Sequence, residues 1–169
     1  MRGDHGGSCD LGGVLSQPEG THLAQFNWAT LRHDADDPRV AEFIDNVARM
    51  NALADRMPGF IWRHQNDRQA LAKLKRPLPF ATGKRFTTTL SVWADIKALE
   101  TFAFKTVHRR FYDKRAAWFE EHARPYMTMW YVPRGQVPTV AEAGDRASDL
   151  LENGDSARAF GWDYARAAA

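Results

Sequence analysis

The chain has 169 residues, a length that fits one domain with a sizeable core. Its 23 Lys and Arg against 21 Asp and Glu leave a net charge of only +2, and the two signs are interleaved, which argues against a nucleic-acid surface. A single cysteine, Cys9, excludes a disulfide framework or a Cys-based metal site, and no apolar run approaches the ~18 residues that a membrane span requires.

Residues 1–20 contain six Gly and few large apolar side chains. Such a segment buries too little surface to offset its ordering entropy, so it reads as a disordered leader. It lacks the apolar core of a secretion signal, which makes a reducing cytoplasm the expected location. Its His5 and Cys9 are too scattered to predict a metal site.

The domain is expected over residues 21–165. Residues 22–31 (HLAQFNWATL) alternate with period two. Leu23, Gln25, Asn27 and Ala29 point one way, and Ala24, Phe26, Trp28 and Thr30 point the other, which predicts a strand. In HDADDPR, Asp36 or Asp37 can cap a helix with Pro38 in its first turn. Val40, Phe43, Ile44, Val47, Met50, Leu53, Ala54 and Met57 then follow helical spacing. Met57-Pro58-Gly59 stops that helix. FIWRH (60–64) reads as a short strand. In residues 66–83, QALAKLK suggests a brief helix and RPLPFATGK a loop. FTTTLSVW (86–93) is β-branched and aromatic, hence a strand. Asp95, or Ser91 four residues before it, starts the next helix, whose apolar face is Ile96, Leu99, Phe102 and Ala103. The helix is expected to break at 105–107 and restart. From His108 to His122 one face recurs at threes and fours, and Arg124-Pro125 ends it. YMTMWYV (126–132) alternates as a fourth strand. Pro133-Arg134-Gly135 turns the chain, and Thr139 with Glu142 offers a capping box to a helix that stops at Asn153-Gly154. FGWDY (160–164) predicts a last short strand, and residues 166–169 a frayed tail.

The order β-α-β-β-α-β is the split βαβ or ferredoxin-like pattern, an α+β fold with an added C-terminal helix and strand. Helices cover one sheet face only, and the other carries Trp and Met. A second copy of the chain is its simplest cover, giving a barrel-like homodimer.

HLAQFNWATL, DDPRVAEFIDNVARMNALAD, PGFIWRHQ, LSVWADIKALETFAFKTVHRRFYDKRAAWFE and MWYVPRGQVPTVAEAGDRASDLLENG together resemble the family catalogued as domain of unknown function 3291. The likeness runs over residues 22–164. The last piece and the SVW…H…WF spacing are its most specific parts. That family is similar to the antibiotic-biosynthesis monooxygenases of the dimeric α+β barrel superfamily. The resemblance implies a dimeric barrel with a cavity. Superfamily chemistry includes monooxygenases, isomerases, cyclases and heme enzymes, so it implies no single reaction.

His108 stands at the helix restart amid Phe104, Phe111 and Tyr112. An imidazole there can act as general base toward an acidic C–H or phenol, or simply cap a helix end. Asn27, Gln25 and Arg63 are strand polar groups that can hold a carbonyl or enolate oxygen, or face solvent. Asn27 resembles the strand amide that some monooxygenases of the superfamily place in their cavities. Trp28, Trp62, Trp93, Trp118 and Trp130 can line a pocket for a flat molecule or pack the core. Trp93, at a strand-to-helix junction, is the expected wall with Phe104. Trp28, Tyr112 and Trp130 are the further substrate contacts, while Trp118 and Phe119 are expected core. His64, His108 and His122 show no metal-ligand spacing such as HExxH, and His108 and His122 would lie roughly 20 Å apart on one continuous helix, too far to share a metal. The basic cluster at 73–85 reads as a solvated loop, and there is no G-x-G-x-x-G or P-loop for a nucleotide.

The expectation is therefore a small enzyme without a cofactor. It would bind a hydrophobic, aromatic or polyketide-like molecule and oxygenate, isomerise or cyclise it. His108 would be base, and Asn27 and Arg63 would polarise oxygen. The alternatives are a non-catalytic binding module in the same cavity and a heme protein with one histidine as ligand.

Overall fold

The computed structural model describes residues 16–64, 85–121 and 126–167. Several sequence expectations lie outside those residues. They are the leader up to residue 15 with His5 and Cys9, the brief helix, loop and basic cluster at 66–84, His122, the Arg124-Pro125 stop, and residues 168–169 of the tail.

The elements run β1 (Thr21–Thr30), a 3-10 turn (Pro38–Val40), α1 (Ala41–Ala54), β2 (Phe60–Arg63), β3 (Phe86–Trp93), α2 (Ile96–Lys105), α3 (His108–Asp113), α4 (Arg115–Trp118), β4 (Met127–Pro133), α5 (Val140–Asn153) and α6 (Trp162–Ala167). The four strands form one sheet in the order β2-β3-β1-β4, and every neighbouring pair is antiparallel. With β1 and β3 central and β1-α1-β2 split by β3, this is the ferredoxin-like α+β topology.

Local chemistry sets most boundaries. Asp37 Oδ1 accepts from the Arg39 backbone N at 2.9 Å, opening the turn into α1. Asp95 Oδ1 accepts from Ala98 N at 2.8 Å at the start of α2. Thr139 Oγ1 accepts from Glu142 N at 3.1 Å at the start of α5. Only half of the expected capping box forms there, because the Glu142 carboxylate accepts instead from Trp130 Nε1 (3.1 Å) and Arg146 Nη2 (3.2 Å). Thr139→Ala should therefore cost about 1 kcal/mol in chemical denaturation, the usual worth of a lost side-chain cap.

Period two divides the sheet. One face carries Leu23, Trp93, Met127 and Met129, packed by Ala54 of α1, Leu99 of α2 and Ala165 of α6. The other carries Ala24, Phe26, Trp28, Leu90, Val92, Trp130 and Val132, packed by Val140, Ala143 and Ala147 of α5. Phe26, Leu90 and Trp130 are each 0% exposed in a single chain. The added helix thus occupies the face for which a second copy was expected, and burial of these aromatics does not require a dimer.

Two elements depart from the sequence reading. The helix after His108 does not run to residue 122. It ends at Trp118, and Phe119 is extended at φ −114° and ψ 150°. Pairing with β1 overrides helical periodicity here: Arg32 N donates to Trp118 O (2.8 Å) and Glu120 N to Thr30 O (2.9 Å). The Phe119 ring meets Phe43 edge-on at 4.8 Å. The expected strand at 160–164 contracts to one bridge between Phe160 and Met129. Asp155 Oδ1 then accepts from Gly161 N at 2.7 Å, and the chain turns into α6. Residues 166 and 167 belong to that helix rather than to a frayed tail.

Candidate functional site

Between the first sheet face and the helical layer lies a cavity of about 1010 Å³. Its floor is polar, with Gln25 and Asn27 from β1, Ser91 from β3 and Arg63 from β2. Its walls are aromatic, with Trp93, Phe102, Phe104, Tyr112 and Trp162, and His108 also faces it. A large apolar-walled space with a few convergent polar groups is the usual form of a small-molecule site.

The break between α2 and α3 places His108. Thr106 Oγ1 donates to Phe102 O at 2.7 Å and accepts from His108 N at 3.1 Å, so the threonine bridges the two helices. His108 Nδ1 lies 3.1 Å from Ala103 O. A carbonyl only accepts, so Nδ1 carries the proton and Nε2 keeps its lone pair. Burial pushes the imidazole below its ordinary value of 6.5, against a smaller opposing pull from the Ala103 hydrogen bond. A neutral base with a fixed tautomer results. Phe102 joins it to the wall, with ring centroids 4.7 Å from His108 and 5.3 Å, stacked, from Trp93.

The floor is anchored by a buried chain of hydrogen bonds. Trp93 Nε1 donates to Ser91 Oγ at 3.0 Å, and Ser91 Oγ donates to Gln25 Oε1 at 2.9 Å. Asn27, two residues along the same face, has a buried Oδ1 with no hydrogen-bond partner among the described residues. Leaving such a group unsatisfied costs about 1–3 kcal/mol.

Arg63 also borders the cavity, but its Nε and Nη2 bind Asp55 at 2.8 and 3.1 Å. That guanidinium holds the Asp55 carboxyl below the usual carboxylate range. Most of its charge is thus answered within the protein, leaving the strand amides as the freer polar groups. Near α3, Tyr112 and Tyr126 share a hydroxyl hydrogen bond of 2.8 Å. Burial first, then Tyr112, pushes the Tyr126 hydroxyl well above the usual phenol range. Phe104 meets Tyr112 edge-on at 5.6 Å and Trp162 at 5.2 Å.

Of the residues expected from sequence, His108, Asn27, Arg63, Trp93, Phe104 and Tyr112 come together around one space. Trp28 only borders it, since its side chain belongs to the α5-covered core, and Trp130 lies wholly in that core. The sequence reading missed Phe102, Tyr126 and Trp162 as walls and Ser91 as a positioning group. Ser91 was legible by parity, standing two residues before Trp93 on the same strand face. Among the described residues, no group of three or more His, Cys, Asp or Glu could hold a metal ion. No described helix is long and apolar enough to cross a membrane.

A family described as a domain of unknown function (DUF3291) matches residues 22–169. No curated protein matches the chain. Among solved structures, the chain is similar to a protein of unknown function from Nitrosomonas europaea (NE2512). Identity there is 15% over 72% of this chain and 99% of that one, with a TM-score of 0.46. It is similar to PA3566 from Pseudomonas aeruginosa, at 15% identity over 69% and 96% and a TM-score of 0.43. It is also similar to SnoaB, a cofactor-independent oxygenase from Streptomyces nogalater, at 18% identity over 69% and 97% and a TM-score of 0.44.

Proposed function

The chain belongs to the DUF3291 family, and we propose that this member is a small cofactor-independent enzyme acting on an apolar, aromatic or polyketide-like molecule. The observation that carries this reading is the neutral His108, with Nδ1 tied to Ala103 O and Nε2 unprotonated, beside a cavity of about 1010 Å³. Nε2 takes a proton from an acidic C–H or phenolic O–H of the bound molecule. The negative charge left behind moves onto a substrate oxygen, which the Asn27 NH2 group polarises by donation, while Arg63, already paired with Asp55, adds only its residual field. Trp93, Phe104 and Tyr112 hold the flat skeleton and exclude water. Return of the proton to another carbon is isomerisation, and attack of the carbanion on a carbonyl is cyclisation. Under oxygen, at a carbon that carries two hydrogens, the carbanion adds to O2 to give a hydroperoxide, and loss of the second C–H proton with cleavage of the O–O bond leaves a carbonyl and releases the other oxygen as water. The protein would work in the cytoplasm as a homodimer.

Aerobic and anaerobic incubation with a panel of enolisable polycyclic ketones and phenols tests this. Oxygen uptake and product mass are the readouts. Products that need the protein support the enzyme and sort the three reactions by their oxygen requirement. Tight binding without any product would instead identify a binding module in the same cavity.

A further inference from the structure

The hydrogen-bond chain on the cavity floor has a direction that the chemistry fixes. An indole N–H can only donate, so Ser91 Oγ must accept from Trp93 Nε1. The single Ser91 proton is then free to go to its other neighbour, 2.9 Å away on Gln25. The acceptor there is the Gln25 carbonyl oxygen. A flipped amide could still donate to the second lone pair of Ser91 Oγ, but it would leave the buried Ser91 proton with no acceptor among the hydrogen bonds of the described residues, which favours the orientation with Oε1 toward Ser91. All three residues are deeply buried, with Gln25 6%, Ser91 4% and Trp93 1% exposed. A relay with this little freedom is rigid. It leaves the Gln25 NH2 group, which has no partner among the hydrogen bonds of the described residues, at the floor of the cavity that Gln25 lines.

We infer that Gln25, oriented by Ser91 and Trp93, is the donor of an oxygen-binding subsite that takes a carbonyl or phenolate oxygen of the ligand. The inference rests on the reading of the cavity as a small-molecule site. It adds which oxygen class is selected and which residue selects it. Gln25 is neutral and pre-oriented, and it is not committed to an ion pair as Arg63 is. Ser91 and Trp93 are positioning residues in this arrangement, and Trp93 is also a wall.

Fluorenone and fluorene test the donor directly. They share one flat apolar skeleton and differ by one carbonyl, which only accepts. Calorimetric titration of the full chain should show fluorenone binding roughly five- to tenfold more tightly, the worth of one net hydrogen bond. Gln25→Met should erase that preference, read as the ratio of the two affinities. Ser91→Ala should weaken the preference and shift the Trp93 indole N–H resonance, and Ser91→Thr should restore both. Melting temperatures within a few degrees of wild type identify variants that remain folded. A preference that survives Gln25→Met overturns the inference, as does wild-type protein that binds both probes equally or binds neither. Absence of turnover with any substrate would defeat the enzymatic reading but leave the fluorenone preference standing, so the two failures are distinguishable.

Discussion

His108→Gln should lower turnover by about 10²–10⁴-fold, the usual contribution of a positioned general base. At about 1.36 kcal/mol per decade, that is roughly 2.7–5.4 kcal/mol of lost transition-state stabilisation. Glutamine is chosen because it keeps an uncharged polar side chain of similar reach but has no basic nitrogen. Ligand affinity should therefore change little, and the loss should fall on kcat. The pH dependence gives a second signature. Burial depresses the imidazole below 6.5, so between that lowered value and 6.5 the folded chain binds fewer protons at this site than the unfolded chain. The resulting stability is fully present above pH 6.5 and is lost as pH falls through the window. Wild-type thermal stability should consequently drop more steeply than that of His108→Gln on acidification below 6.5. Turnover should hold at neutral pH, with its acid limb below 6.5, because the base is already unprotonated there. An acid limb at or above 6.5, or a variant that keeps its kcat, would remove His108 from the mechanism.

How far such a site can be read from sequence depends on whether local or distant pairing decides each element. The starts of α2 and α5 were legible because Asp95 and Thr139 cap locally. So was the break before His108, which Thr106 bridges with a side chain four residues from its acceptor. Alternation in β1 correctly placed Gln25 and Asn27 on one face. The same alternation rules out Trp28 as a full partner of Asn27, since neighbours in a strand point to opposite sides. Trp130 pairs across from Ala24 and so shares the side of Trp28. That register involves residues 106 positions apart and cannot be seen in any short window. The end of α4 was hidden for a similar reason: the spacing of Trp118 and Phe119 fits a helix, but their backbone groups bond to β1. The helix α5 was predicted, yet nothing in its own sequence said that it would cover the second sheet face.

Gly59→Ala should destabilise the fold by about 2–5 kcal/mol, the sum of a left-handed backbone cost of about 1–2 and an overpacking cost of about 1–3. Gly59 sits at φ +83°, where it ends the turn from α1 into β2. A Cβ there would stand 2.5 Å from Ala98 Cβ and 3.5 Å from Ala94 Cβ. Neither neighbour can yield easily. Ala98 N is held by the Asp95 cap at 2.8 Å, and Ala94 N donates to Gly59 O itself at 2.7 Å. The next residue, Phe60, meets Trp93 edge-on at 5.3 Å, so any displacement of the turn reaches the cavity wall and the Ser91 relay behind it. Gly135→Ala is the matched control. It has the same φ of +83° with nothing within 4 Å of its added Cβ, and should show the backbone cost alone. Adding Ala98→Gly to Gly59→Ala removes the opposing methyl and should recover the steric part, less about 1 kcal/mol for a glycine inside a helix. Chemical denaturation of the four proteins separates the terms. If Gly59→Ala proves no worse than Gly135→Ala, the close approach of α2 to this turn is not what holds the wall of the cavity in place.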